Sequence, residues 1–228
     1  MRNWLSPLLS ASVLVLGLAH AEPAARIEID YELRRNGSAL AEVQERLEHG
    51  DGRYHLTETW EGVGLYRLLG TAKRSSRGRI AADGLRPVEF SDERTGRATA
   101  RAWFDWQEGT ITSQYRGDRR TRKMPPNAQD RLSFLLALAF VPEGTNPIRF
   151  SIADGKGGVS RHEYHVVGRE TIEIPAGRFE AVKVLREKDD ERSEIWLAIK
   201  EGRLPLRVLV TQEDGTRYDQ VATRIRRR

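Results

Sequence analysis

The stretch Ile27-Glu28-Ile29-Asp30-Tyr31-Glu32-Leu33-Arg34-Arg35-Asn36-Gly37 decides how the chain is read. Apolar and charged side chains alternate from Ile27 to Arg34, which is the period of a strand with one buried face. Asn36-Gly37 follows at once, and both residue types accept the positive φ angles that a two-residue hairpin turn demands. A helix would scatter Ile27, Ile29, Tyr31 and Leu33 around its surface, whereas a strand sets all four on one side. The segment therefore predicts a strand that runs into a tight antiparallel turn.

The same grammar continues outward from it. Tyr54-Leu56, Ile195-Leu197-Ile199 and Leu206-Val208-Val210 repeat the two-residue period. Turn signals separate such runs: Gly50-Asp51-Gly52, Asp83-Gly84, Thr95-Gly96, Glu108-Gly109, Gly117-Asp118, Asp154-Gly155, Ala176-Gly177 and Asp214-Gly215. The run from Leu40 to Leu47 also fits an amphipathic helix ending at Gly50, but its place between two hairpin signals favours a strand. Many short strands joined by tight turns predict a mainly β fold, a strongly curved antiparallel sheet or open barrel of meander type.

One segment departs from this pattern. After Pro125-Pro126, the residues Leu132, Leu135, Leu136, Ala139 and Phe140 follow helical spacing, and Pro142 ends it. Asn127 suits an N-cap, and Asp130 suits the first turn. The spacing predicts one helix over 127–140, packed on the sheet.

Composition narrows the chemistry. The chain has 228 residues with 38 Lys plus Arg, 33 Asp plus Glu, a formal net charge of +5 and no Cys. The absence of Cys excludes disulfides, thiolate metal sites, cysteine nucleophiles and lipid attachment through an N-terminal Cys. So mild a positive excess gives no argument for nucleic acid.

At the N-terminus, Arg2 precedes an apolar run from Leu5 to Leu18, and Ala19-His20-Ala21 supplies an A-x-A cleavage pattern. Residues 1–21 read as a cleaved signal peptide and 22–228 as a single β-rich domain. The expected location is a bacterial periplasm, with no integral membrane span after cleavage.

The order of several short motifs supports that location. Gly84-Leu85-Arg86-Pro87, Phe104-Asp105, Asp130-Arg131-Leu132-Ser133, Asp154-Gly155, Ile174-Pro175-Ala176-Gly177-Arg178-Phe179, Trp196 and Pro205 occur in the order that resembles the domain-of-unknown-function 3108 family. The resemblance covers most of the chain after the leader. It implies a secreted β-protein of the bacterial envelope and supplies no catalytic residue.

The residues themselves offer few sites. His162 and His165 are three apart, which on a strand points them to opposite faces, away from a shared metal. Gly155-Lys156-Gly157-Gly158 lacks the spacing and the following helix of a phosphate loop and reads as a turn. Arg116-Gly117-Asp118 reads as a turn as well. Arg116 to Lys123 and Arg224 to Arg228 are basic clusters suited to anionic lipid headgroups, or else a solvated loop and a frayed end. No catalytic, metal or cofactor constellation is present.

If the concave face of the sheet is wider than its side chains can fill, it becomes a pocket. Trp60, Tyr66, Trp103, Asp130, Ser133 and Trp196 are the candidate ligand-binding residues for it. The expected function is non-catalytic binding of a lipid or other apolar or amphiphilic envelope component. The alternatives are a scaffold for an envelope protein partner and a hydrolase of an envelope polymer. A pair of close carboxylates, one with a raised pKa, would mark the hydrolase.

Overall fold

The computed structural model of the protein describes residues 25–228. The leader and cleavage site expected at 1–21 lie outside them. In chain order the strands are β1 (Ala25–Arg35), β2 (Ser38–Gly50), β3 (Arg53–Gly62), β4 (Thr71–Ala81), β5 (Gly84–Arg94), β6 (Ala100–Asp105), β7 (Thr110–Tyr115) and β8 (Asp118–Lys123). Then come β9 (Ala128–Asp130), the short helix α1 (Ser133–Ala137), β10 (Ile148–Ala153), β11 (Val159–Ile174), β12 (Gly177–Lys188), β13 (Glu191–Ala198), β14 (Leu204–Thr211) and β15 (Arg217–Arg227). All fifteen join one sheet in the order β8-β7-β6-β5-β4-β3-β2-β1-β15-β14-β13-β12-β11-β10-β9. Every pairing is antiparallel except the short parallel one between β9 and β10. The sheet stays open, with β8 and β9 at its two edges.

The first hairpin forms as its sequence predicts. Asn36 and Gly37 take φ of 49° and 86°, the turn that matches strand twist, and Arg35 faces Ser38 across it. Ile29, Tyr31 and Leu33 are buried on one side of β1. Leu40 to Leu47 lies wholly within strand β2.

The sheet curls around its own edge. All three residues of β9 are buried, and their side chains reach strands near the opposite edge. Gln129 Nε2 donates to Leu85 O of β5 at 2.8 Å, and Ser76 Oγ of β4 donates to Asp130 Oδ2 at 2.6 Å. One apolar core fills the curl, drawn from both halves of the sheet together with Leu132, Leu136 and Leu138. Each large aliphatic or aromatic side chain buried there contributes about 1.5–3 kcal/mol.

The helix is shorter than its periodicity predicts. Asn127 adopts a left-handed φ of 51°, residues 128–130 pair with β10, and α1 spans only Ser133–Ala137 before a 3-10 turn at Leu138–Phe140. Tertiary partners override the local pattern. Asp130 is held by Ser76 and anchors the new turn itself, Oδ1 accepting from Leu132 N at 2.8 Å and Ser133 N at 2.7 Å. The carboxylate that anchors this turn thus lies three residues beyond Asn127, and the N-cap position of α1 itself, Leu132, carries no side-chain cap.

Candidate functional site

The concave side of the sheet is occupied by core side chains and by the β9–α1 segment. A buried polar chain fixes that segment. Ser76 Oγ gives its proton to Asp130, so Tyr54 OH donates to Ser76 Oγ at 3.0 Å. Ser133 Oγ accepts from Asp130 N at 3.0 Å and donates to Gln129 Oε1 at 2.8 Å. Burial pushes the Asp130 carboxyl up, against the bonds it accepts from Ser76, Ser133 and Leu132. Burial and the neighbouring Asp130 likewise push the Tyr54 phenol far above its ordinary range.

A row of ionisable groups crosses the same face. Glu45 lies opposite Glu58, Glu58 opposite Arg74, and Arg74 opposite Asp92, on four successive strands from β2 to β5. Arg74 Nη1 donates to Glu58 Oε1 at 2.8 Å, and its Nε stands 3.6 Å from Asp92 Oδ2. Arg94 grips Asp92 with two bonds, at 3.0 and 2.9 Å. Burial, then the charge of Glu58, pushes Glu45 up to about 8. Burial raises Glu58 too, with Arg74 opposing it. Asp92 goes the other way: burial would raise it, but Arg94, Arg74 and Arg131 together outweigh burial. This is the pair of close carboxylates that would mark a hydrolase. Glu45 and Glu58 are only 8% and 3% exposed, however, too little to face substrate in a solvent-filled cleft. The row is part of the core.

The end of the curl near the β4–β5 turn is different. A cleft of about 360 Å³ opens there between β5, α1 and β10. Its apolar wall includes Leu85, Trp106, Ala137, Phe140, Ile148 and Phe150. Phe140 stands 38% exposed at the mouth. Trp106 Nε1 donates to Pro87 O at 2.7 Å, which fixes the ring, and the Arg86 guanidinium lies 5.4 Å from the ring centre. Arg86 pairs with Asp83 at 2.8 Å, while its Nε is buried without a hydrogen-bond acceptor. Asn127 and Gln129 also line the cleft, but their amides are used internally, on Arg149 O and Leu85 O. The cleft therefore offers an apolar wall with the partly exposed Arg86 guanidinium at its edge, a combination that suits an amphiphile.

Of the six residues singled out in the sequence, Asp130 and Ser133 bond to each other, and the six do not converge on one site. Asp130 and Ser133 are buried anchors of the β9–α1 segment. Trp60 lies on the inner face of β3 with the Arg74 guanidinium 5.3 Å from its ring centre; its N–H leans toward Glu58 but finds no acceptor at bonding geometry. Tyr66 sits in the 3-10 turn Gly64–Leu69 between β3 and β4. Trp103 alternates with the buried Ala102 and Phe104, so it lies on the outer face, under Arg119. Trp196 is set between Lys183 and Arg207, each 4.8 Å from its ring centre, and its N–H donates to Glu170. None of the six lines the cleft. The sequence signal for the cleft is Gly84-Leu85-Arg86-Pro87, an apolar and basic residue beside a tight turn.

Other motifs settle into ordinary roles. Asp154 Oδ1 accepts from the backbone N–H groups of Lys156 and Gly158 at 2.7 and 2.9 Å, which makes the glycine-rich segment a turn. Arg116-Gly117 forms the β7–β8 hairpin tip. His162 stacks edge-on against Phe134, while His165 pairs with Glu163 on the other face of β11. The C-terminal arginines are ordered in β15: Arg226 binds Glu28 at 3.0 Å and Arg227 binds Glu201 at 2.7 Å. The frayed basic end expected from the sequence is thus a paired strand.

No curated protein matches the chain. Among the crystal structures that resemble it at low identity are two bacterial proteins. One is a Bacteroides fragilis protein described as exported, with a YmcC-like fold: 12% identity, TM-score 0.40, covering 90% of this chain and 97% of that one. The other is a Parabacteroides distasonis protein described as a lipoprotein: 10% identity, TM-score 0.34, covering 90% and 96%. The sequence matches the family described as "Protein of unknown function (DUF3108)" over residues 26–221, from β1 into β15, and the chain belongs to that family.

Proposed function

We propose that the protein is exported to the bacterial periplasm as a single domain and binds an apolar or amphiphilic envelope component in the cleft between β5, α1 and β10. The observation that carries this reading is the cleft's pairing of an apolar wall with the partly exposed Arg86 guanidinium at its edge. An acyl chain would cover Leu85, Trp106 and Phe140, and an anionic or carbonyl headgroup would satisfy Arg86. The volume falls within the range of small-molecule sites. The signal-peptide pattern at 1–21 supports the location. The reading is non-catalytic, because the neighbouring carboxylates are sealed in the core.

Titration with a dansyl-labelled fatty acid tests it. Saturable binding is expected, with energy transfer from Trp106. Phe140→Asp should weaken it at least about tenfold by placing a charge in the apolar mouth. Phe140 is partly exposed, so the fold should survive. Absence of saturable binding, or equal binding by the variant, contradicts the proposal.

A further inference from the structure

The opposite end of β3 and β4 carries a feature the cleft does not explain. The 3-10 turn Gly64–Leu69 presents Leu65 and Leu68 at 86% and 88% exposure. In a 3-10 helix residues i and i+3 eclipse, so the two leucines stand side by side. Single exposed leucines are ordinary, but two almost bare ones on one face of one turn form an apolar tip.

The turn is held in place. A Cβ at Gly62 would overlap the Tyr66 carbonyl, and one at Gly70 would overlap the Thr95 side chain, so β3 and the β5–β6 turn press against both of its ends. Val63 N donates to Leu40 O at 3.1 Å, and Thr71 N donates to Thr95 Oγ1 at 3.0 Å. The leucines are thus presented outward by a braced support.

Charge surrounds the tip. Arg67 lies between the leucines, and Lys73 and Arg97 are exposed nearby, against Glu61 and Glu93. At the same end of the sheet the β7–β8 hairpin adds Arg116, Arg119 and Arg120, with Asp118 as its acid. Acidic turns at Asp189–Asp190 and Glu213–Asp214 also lie at this end, beyond β15 on the other half of the sheet. The β7–β8 hairpin and the β14–β15 turn each lie about four strand spacings from the leucines, roughly 19 Å along the sheet and beyond the Debye length of about 8 Å at physiological salt, so Arg67, Lys73 and Arg97 against Glu61 and Glu93 set the charge at the tip.

We infer that this tip docks on the surface of an anionic lipid bilayer, Leu65 and Leu68 entering the acyl boundary while Arg67, Lys73 and Arg97 meet headgroup phosphates. A narrow protruding turn suits insertion between lipids better than a protein interface, which needs about 800 Å² of complementary surface per partner. The inference is independent of the cleft, which opens at the other end of β4 and β5.

Vesicle co-sedimentation tests it, using soluble purified protein whose processed N-terminus is verified by mass. The vesicles are phosphatidylcholine alone or with three parts in ten phosphatidylglycerol. The protein should pellet with the anionic vesicles and less with the neutral ones, and added salt should reduce that preference. Leu65→Ser/Leu68→Ser should cut partitioning at least tenfold with an unchanged thermal unfolding midpoint, and Arg67→Glu several-fold. Phe140→Asp in the cleft should pellet like the parent. Several results overturn the inference: no vesicle binding by the parent, equal binding by the serine variant, or loss of vesicle binding through Phe140→Asp alone. A parent dimer that the serine variant converts to monomer also overturns it, because the leucines would then face a second copy.

Discussion

Across β12, β13 and β14, Val184, Ile195 and Val208 face one another in register. Across β2 to β5, a row in the same curled sheet reads Glu45, Glu58, Arg74 and Asp92. Both rows are laid down by two-residue alternation, but they hold together by different means. The apolar row gains from every atom removed from water, and losing one methyl group costs little. The charged row is stable only while each ion keeps its partner, because a buried charge left alone costs several kcal/mol. The contrast divides a tolerant half of the core from a conditional one.

Removing the central cation should give the largest effect. Arg74→Ala strands Glu58, although Arg94 still holds Asp92, and should destabilise the protein by about 3–5 kcal/mol in urea unfolding. Ile195→Val in the apolar row should cost about 0.5–1.5 kcal/mol. Equal costs would erase the distinction between the rows. Next in size is Asp130→Ala, which orphans the Ser76 hydroxyl and the N–H groups of Leu132 and Ser133. It should cost at least about 2 kcal/mol, read from the same curves.

A pH series sharpens the comparison further. The folded state raises Glu45 from 4.5 to about 8, so the folded chain holds this proton more tightly than the unfolded chain. The group's contribution is fully present below pH 4.5 and is lost as pH rises toward 8. Glu45→Gln cannot titrate and should gain on the parent across that window, by on the order of 1–3 kcal/mol at pH 8. A difference that stays flat between pH 5 and pH 8 contradicts this placement of Glu45. The smallest effect belongs to an exposed pair outside the row. Arg149→Ala breaks the 2.7 Å contact with Glu163 and should cost under about 1 kcal/mol, because water screens both groups.

The same contrast explains what was legible in the sequence. Ile195 and Leu197 announce their strand because the inward phase is apolar, and Asn36-Gly37 announces its turn through backbone preference. The charged row breaks the hydrophobic signal while keeping its parity: Tyr54, Leu56, Glu58 and Trp60 share one phase, as do Val43, Glu45 and Leu47. An ionisable residue on the apolar phase of two successive strands was the available clue. The helix expected over 127–140 shortened because Asp130 and Gln129 find partners in β4 and β5, far away in sequence. The cleft was hidden for the same reason, since Leu85, Phe140 and Phe150 meet only through the curl. Trp103 and Trp196 looked like pocket aromatics, but alternation places Trp103 outside and cation contacts occupy Trp196.

The concavity holds a packed core, and the proposed binding falls to the cleft at its end. Native mass spectrometry of the protein purified gently from periplasm, beside Phe140→Asp prepared identically, tests it most directly. The account predicts a reproducible added mass on the parent, released by organic extraction as a lipid or other amphiphile, and its loss from the variant. A bare parent that takes up nothing from an offered lipid library, or an added mass that persists in Phe140→Asp, would contradict it.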